Sequence, residues 1–200
     1  MVKAQEKDRS AVVEILTEAF QDNKSVHYII PQDAKRLQRI ALLMNYSFDL
    51  CMLYGEVFLS EDGRGCALVV FPDKKKTSLQ AMMLDLKLIL GATGIRHAIR
   101  AMKREAALRE RQPSGPLYYL WFIGVRRDAQ GRGTGTGLLQ ELKQRARSTG
   151  RIFCLETSAL QNIPWYEKNG FRIYNELDLG YPLYFMKAEA NTEEAASAYL

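Results

Sequence analysis

The sequence predicts an α/β fold of the α+β type, with helices packed on one sheet, and three observations predict it. Segments with apolar residues at helical spacing fill the N-terminal part and the middle of the chain. Short runs rich in Val, Phe, Tyr and Leu, bounded by glycine or proline, lie between and after them. A glycine cluster, "QGRGTGTGLL" at 130–139, stands where a long apolar strand gives way to a helix. The chain has 200 residues, 47% hydrophobic and 26% charged, which is enough for one soluble domain with its own core.

The elements follow in order. "SAVVEILTEAF" at 10–20 has helical spacing with Ser10 as a candidate cap, and a second helix is expected from Asp33 to Tyr54. The period then changes: "EVFLSEDGRGCALVVFP" at 56–72 reads as two strands about "EDGRG", ended by Pro72. From 78 to 112 the spacing is helical again and broken by "GATG" at 91–94, so two helices are expected, the second strongly basic. After "PSGP" comes the strand "LYYLWFIGV" at 117–125, then the glycine cluster and a helix to Thr149. A strand at 152–158, a short helix in "NIPWYEKNG" and two closing strands, "FRIYNELDL" and "YPLYFMKA", complete the domain. The last residues, 191–200, lack a strand pattern and read as a peripheral tail.

Composition narrows the function. Cys51, Cys66 and Cys154 are widely spaced and only two histidines accompany them, so the thiols are expected in the core, with neither a disulfide framework nor a metal site. A formal charge of +5 admits an anionic ligand without requiring nucleic acid. The polar start "MVKAQEKDRS" and the lack of an apolar run of spanning length lead to a cytoplasmic expectation, with no membrane partner.

The glycine cluster fails the known nucleotide fingerprints. No lysine follows as in a Walker loop, and the third glycine of GxGxxG is replaced by Thr136. What remains is Gln130, Gly133 and Gly135 in the spacing QxxGxG, with successive amides at a helix N-terminus. Such amides lack intrahelical partners, and with the helix dipole they suit a diphosphate. A flexible turn is the simpler alternative.

Two motifs together resemble the GNAT superfamily of acetyl-coenzyme A-dependent N-acetyltransferases. "VRRDAQGRGTG" after a strand matches its V-x(4)-[QR]-x-x-G-x-[GA] signature, and "WYEKNGFRIY" about 30 residues later matches Y-x-x-x-G-F. The resemblance is strong over 116–175 and implies a GNAT fold over 1–190: a mixed, mostly antiparallel twisted sheet with a splayed central parallel strand pair and flanking helices. The helical stretch 78–112 departs from the minimal family plan and reads as an insertion.

The resemblance further implies that acetyl-CoA is the co-substrate, with no metal. Its pantetheine arm would pair with the backbone of Ile123, Gly124 and Val125, and Gly124 suits a bulge that opens the strand pair. The amides from Gly131 to Thr136, including Arg132, Gly133, Thr134 and Gly135, would hold the pyrophosphate. Arg132, with Arg126 or Arg127, would add charge, the alternative being a solvated basic turn.

An amine would attack the thioester directly, with the Ile123 amide stabilising the oxyanion and Tyr166 protonating the departing thiolate. The alternative for Tyr166, less favoured by the motif, is an aromatic beside Trp165 that packs the short helix on the sheet. Family members that carry a glutamate on the strand before the loop have it where this chain has Tyr119. Glu156 on the next strand is the first candidate base, with His27 and Glu56 behind it and a water relay as the alternative. Many family members place an asparagine further before the tyrosine; Asn162 is the candidate here for a coenzyme contact, the alternative being a cap of the helix ahead of Pro164.

The expected acceptor is a small-molecule or peptide amine, its pocket lined near His27, Tyr28 and the hairpin Tyr181 to Tyr184. A homodimer is an open expectation. The basic helix reads as a solvated face, since no aromatic residues interleave with its charges to stack on nucleic acid bases. A non-catalytic acyl-CoA-binding module is the rival function, supported by the missing strand glutamate.

Overall fold

The computed structural model describes residues 1–189, so the expected tail at 191–200 lies outside the described residues. In chain order the elements are β1 (Val2–Lys3), α1 (Arg9–Phe20), α2 (Lys24–Ile29), α3 (Arg36–Tyr54), β2 (Gly55–Leu59), β3 (Gly65–Val70), α4 (Leu79–Leu88) and α5 (Gly94–Arg109). There follow β4 (Leu117–Val125), α6 (Thr134–Ser148), β5 (Ile152–Thr157), α7 (Ile163–Lys168), β6 (Phe171–Asp178) and β7 (Pro182–Ala188). The strands form one sheet in the order β1-β2-β3-β4-β5-β7-β6, and each neighbouring pair is antiparallel except β4 and β5.

Alternation along the strands gives the sheet two apolar faces. On one, Val12, Ile15 and Leu16 of α1 and Ile40, Met44 and Phe48 of α3 cover Val57, Leu68, Tyr119 and Phe122. On the other, Leu139, Leu142 and Ala146 of α6 cover Phe58, Val69, Tyr118 and Leu120. The three cysteines are buried and free among these side chains, where desolvation pushes their thiols up.

Local chemistry moves several boundaries. Ser10 is not the cap of α1. A short 3-10 turn at Glu6–Asp8 leads into the helix, and its entry is closed by Gln5, whose N–H donates to Asp8 Oδ2 at 2.8 Å, which leaves Ser10 inside the first turn. The six-residue α2 is too short to show a period, but Asn23 caps it, its Oδ1 accepting from the amides of Ser25 and Val26 at 2.9 and 3.2 Å. Between α4 and α5 the expected break is a π turn at Ile89–Thr93, released at Gly94.

The bulge in the central strand falls at Trp121, not at Gly124. Leu68 of β3 pairs with Phe122 while Val69 pairs with Leu120, which leaves Trp121 as the extra residue. Trp121 and Phe122 therefore both pack against the α1 and α3 face, and Ile123 turns to the other. Gly124 is small for a different reason: a Cβ there would lie 3.1 Å from both Ala19 and Leu16 of α1.

Helix α3 runs into β2 without a loop, and at that corner a Cβ on Gly55 would stand 1.9 Å from the carbonyl oxygen of Val69. Gly55→Ala is expected to force β2 from β3 and cost about 1 to 3 kcal/mol, as overpacking does. A urea midpoint equal to that of the parent would show that the corner yields without cost.

Candidate active site

β4 and β5 stay paired only from Leu117↔Ile152 to Leu120↔Leu155. Beyond that point the bulge carries β4 away, and the gap opens into a cleft of about 1680 Å³. Because Arg126 N–H donates to Arg64 O at 2.9 Å, alternation turns the backbone groups of Gly124 toward β3 and those of Ile123 and Val125 toward the gap. Val125 O accepts from Gln130 Nε2 at 3.2 Å, in keeping with that direction.

The glycine cluster closes one end of the cleft. Gly131 and Gly133 have φ of 74° and 88°, a region open to glycine and strained for other residues, and a Cβ on either would meet nothing within 4 Å. The chain thereby turns into α6 with Gly133 at the N-cap and no side-chain cap. The first helical bond runs from Gly137 N–H to Gly133 O at 2.8 Å, so the amides from Gly133 to Thr136 have no acceptor within the helix. Two of the nearby arginines are already engaged: Arg126 pairs with Glu14 at 2.9 Å and Arg127 with Glu18 at 3.6 Å. Arg132 is exposed and forms no ion pair among the described residues.

Tyr166 lies buried on α7 between Trp165 and Phe171, lines the cleft, and has its hydroxyl pushed up by desolvation. Trp165 Nε1 donates to Thr136 Oγ1 at 3.0 Å, which ties α7 to the first turn of α6. Asn162 also lines the cleft and stands at the N-cap of α7, but its side chain makes no cap bond, which corrects the capping expectation.

Glu156 reaches into the cleft one residue past the last β4–β5 pair. It accepts from the Tyr119 hydroxyl, and Gln112 Nε2 donates to its other oxygen at 3.4 Å. Burial raises its carboxyl to about 7, more than Tyr119, Arg104 and Gln112 lower it, and Glu105 adds to the rise. Tyr119 stands where the expected strand glutamate is missing and holds the carboxylate of the adjacent strand. The partnership was not legible in the sequence, because Tyr119 and Glu156 meet only through the β4–β5 register.

The other base candidates lie elsewhere. Glu56 is bound by Arg145 at 2.7 and 2.8 Å and by the Tyr118 hydroxyl at 3.1 Å, and it does not line the cleft. His27 Nε2 lies 2.6 Å from Gln21 O and 3.0 Å from Arg36, also outside the cleft.

The expected acceptor lining is corrected too. Tyr28 and Tyr181 stack edge to face, at 5.6 Å between ring centroids, in a separate apolar cluster with Leu108, Leu183 and Phe185, and residues 181 to 184 do not line the cleft. That end is walled instead by Tyr46 of α3, Trp121 of β4, Asp85 of α4 and Met102, Arg104 and Glu105 of α5. Helices α4 and α5 close the cleft at that end.

The model of the acetyltransferase (GNAT) domain family matches residues 91–173, from the end of the π turn through the glycine loop to β6. Residues 91–173 thus carry a GNAT acetyltransferase domain, and the chain as a whole has the fold of solved acetyltransferases. Solved structures of the same fold span nearly the whole chain. One is the histone acetyltransferase HPA2 and related acetyltransferase of Corynebacterium glutamicum, 19% identical, with a TM-score of 0.66 over 96% of this chain and 97% of that one. Arylalkylamine N-acetyltransferase 2 of Aedes aegypti is 16% identical, with a TM-score of 0.60 over 93% and 95%. The C-terminal condensation domain of Ebony, solved with beta-alanyl-dopamine, is 10% identical, with a TM-score of 0.70 over 94% and 97%. A GNAT acetyltransferase domain supports acyl transfer in general terms. Among the described residues no group of His, Cys, Asp and Glu is placed to hold a metal ion, and no helix is long and apolar enough to cross a membrane.

The Glu156 shift has a consequence for the stability of this GNAT domain. A carboxyl raised from 4.5 to about 7 keeps its proton in the folded state over a range where the unfolded chain releases it. Stability should therefore fall as pH rises from about 4.5 to 7, by about 1 to 3 kcal/mol. Glu156→Gln should lack this part of the fall, so melting curves of the two proteins should separate at pH 8 with the variant the more stable. Parallel curves across that range would show that the carboxyl is not raised.

Proposed function

We propose that the protein is an acetyl-CoA-dependent N-acetyltransferase that joins the acetyl group to a primary amine by direct attack while both substrates are bound. The observation that carries this reading is Glu156, raised to about 7 at the point where β4 and β5 part, in the cleft that also contains the glycine loop and Tyr166. A base poised near neutrality suits removal of a proton from an ammonium ion before attack. A carboxyl at this position weighs against the non-catalytic alternative, which rested on the missing carboxylate of β4.

The chain's own groups fit the co-substrate. The amides from Gly131 to Thr136, with Arg132, Gly133, Thr134 and Gly135 between, suit a pyrophosphate at the start of α6, where a Cβ on Gly131 or Gly133 would meet nothing within 4 Å, with the Arg132 side chain adding charge. Backbone groups of Ile123 and Val125 suit an extended amide-bearing arm laid beside β4, with Gln130 and Asn162 at its sides.

In this reading Glu156 takes the ammonium proton and Tyr119 keeps its carboxylate in place. The amine nitrogen then bonds to the carbonyl carbon, the Ile123 amide holds the charge that gathers on the carbonyl oxygen, and the carbon–sulfur bond breaks. Tyr166 gives its proton to the sulfur, and the second proton that the nitrogen releases on becoming an amide restores the phenol. The acceptor end, with Tyr46, Trp121 and Met102, suits an amine on a partly apolar body. The arylalkylamine acetyltransferase of the same fold points the same way.

Three measurements test this. Calorimetry should show coenzyme A binding that Gly133→Val weakens severely, by straining a positive φ and filling the phosphate approach; unchanged affinity would remove the loop from the site. Free-thiol release with a panel of arylalkylamines, polyamines and peptide N-termini should give turnover whose kcat/KM falls below a pH of about 7 as Glu156 takes up its proton. Glu156→Gln should lower that turnover about 100- to 10,000-fold and Tyr166→Phe about 10- to 1000-fold, each with coenzyme affinity nearly unchanged. Full turnover in either variant would return that residue to a packing role.

A further inference from the structure

The insertion carries a second surface that the cleft does not use. Helices α4 and α5 turn Ala81, Met82, Asp85 and Leu88 and Ala98, Ala101 and Met102 to the cleft. Their other faces, with the π turn between them, present Leu79, Met83, Leu86, Leu90, Ile95 and Ile99, each between 51% and 76% exposed and none lining the cleft. Leu79, Met83 and Leu86 recur at intervals of four and three, as do Ile95, Ile99 and Met102, so each helix shows one apolar row. Met82 and Met102 are exposed and also line the cleft, which brings the apolar surface to its mouth.

Charge accompanies these rows. From 74 to 104 the chain has eight lysines and arginines against one acidic residue, Asp85; Lys75, Lys76 and Arg104 line the cleft, while Lys87, Arg96, Arg100 and Lys103 are exposed outside it. Asp85 is occupied by the Tyr46 hydroxyl at 2.7 Å. Lys87, Arg96, Arg100 and Lys103 directly follow Leu86, Ile95, Ile99 and Met102, which sets cations along the rim of each row. Lys87, Arg96 and Lys103 form no ion pair among the described residues, while Arg100 stacks over Tyr28 at 4.7 Å.

We propose that the outer faces of α4 and α5 dock the protein on an anionic phospholipid bilayer, with the apolar rows in the acyl boundary and the flanking cations among the headgroups. An apolar row edged by lysine and arginine lies in a membrane interface because the stems follow the apolar surface while the charges stay at the headgroups. A second copy of the chain fits poorly, since it would bring two strongly cationic faces together. Nucleic acid would leave the apolar rows in water. This mode of binding needs no spanning helix. Docking here would turn the cleft mouth toward the interface, where amines with an apolar body gather.

Flotation of the whole protein with lipid vesicles at physiological salt tests the proposal. Binding to phosphatidylcholine carrying about a third phosphatidylserine should exceed binding to phosphatidylcholine alone about tenfold or more. Two triple variants, Leu79→Ser with Met83→Ser and Leu86→Ser, and Lys87→Glu with Arg96→Glu and Lys103→Glu, should each lose that binding. Both should keep their melting temperature and coenzyme A affinity, since none of these residues lines the cleft. Failure of the parent to bind anionic vesicles would overturn the proposal, as would concentration-dependent dimerisation that the serine variant abolishes. None of these readouts requires turnover, so an inactive enzyme would count against the acetyltransferase reading and leave this one standing.

Discussion

The parting of β4 from β5 is the constraint on which the rest of the site depends. A parallel pair can be covered on both faces and still offer its backbone groups where the two strands diverge, because there the ladder stops while each strand continues. Here the extra residue Trp121 interrupts the β3–β4 register immediately after the last β4–β5 pair at Leu120. One inserted residue thus ends the pairing, reverses the faces of the strand that follows, and leaves the backbone of Ile123 and Val125 directed into a gap. The glycine loop can close one end of that gap because Gly131 and Gly133 turn the chain sharply at the end of β4.

The same geometry accounts for the environment of Glu156. A carboxyl that followed the last strand pair on an open sheet would be solvated and acidic. Here Tyr119 lies over it from β4, and the insertion brings Arg104, Glu105 and Gln112 around it, so that burial outweighs the groups that stabilise its charge. Helices α4 and α5 wall one end of the cleft and also carry an apolar, cationic surface outward. Glu56 shows the contrast, since Arg145 binds it with two hydrogen bonds and its charge is held by a full partner on the opposite face.

Much of this was legible from short-range chemistry. The hairpin about "EDGRG", the long strand at 117–125, the helix after the glycines and the two closing strands carry their period in contiguous residues, and the structure shows them within a residue or two. The elements that were missed, α2 and β1, are six and two residues long, below the length at which a period can be read. Ser10 was misread as a cap because the competing pair, Gln5 and Asp8, closes a 3-10 turn ahead of the helix.

By itself the sequence determined the class of fold, the order of its main elements and the loop whose glycines require positive φ, because those properties depend on neighbours along the chain. The position of the bulge, the partner of Glu156, the exclusion of His27, Glu56 and Tyr181 from the cleft, and the use of the insertion as its wall were decided only by tertiary structure. Each depends on register between strands or on which face of a helix meets the sheet. Residues such as Tyr119 and Glu156 are 37 apart in the chain. They become partners only when β4 and β5 align, and no local pattern records that alignment.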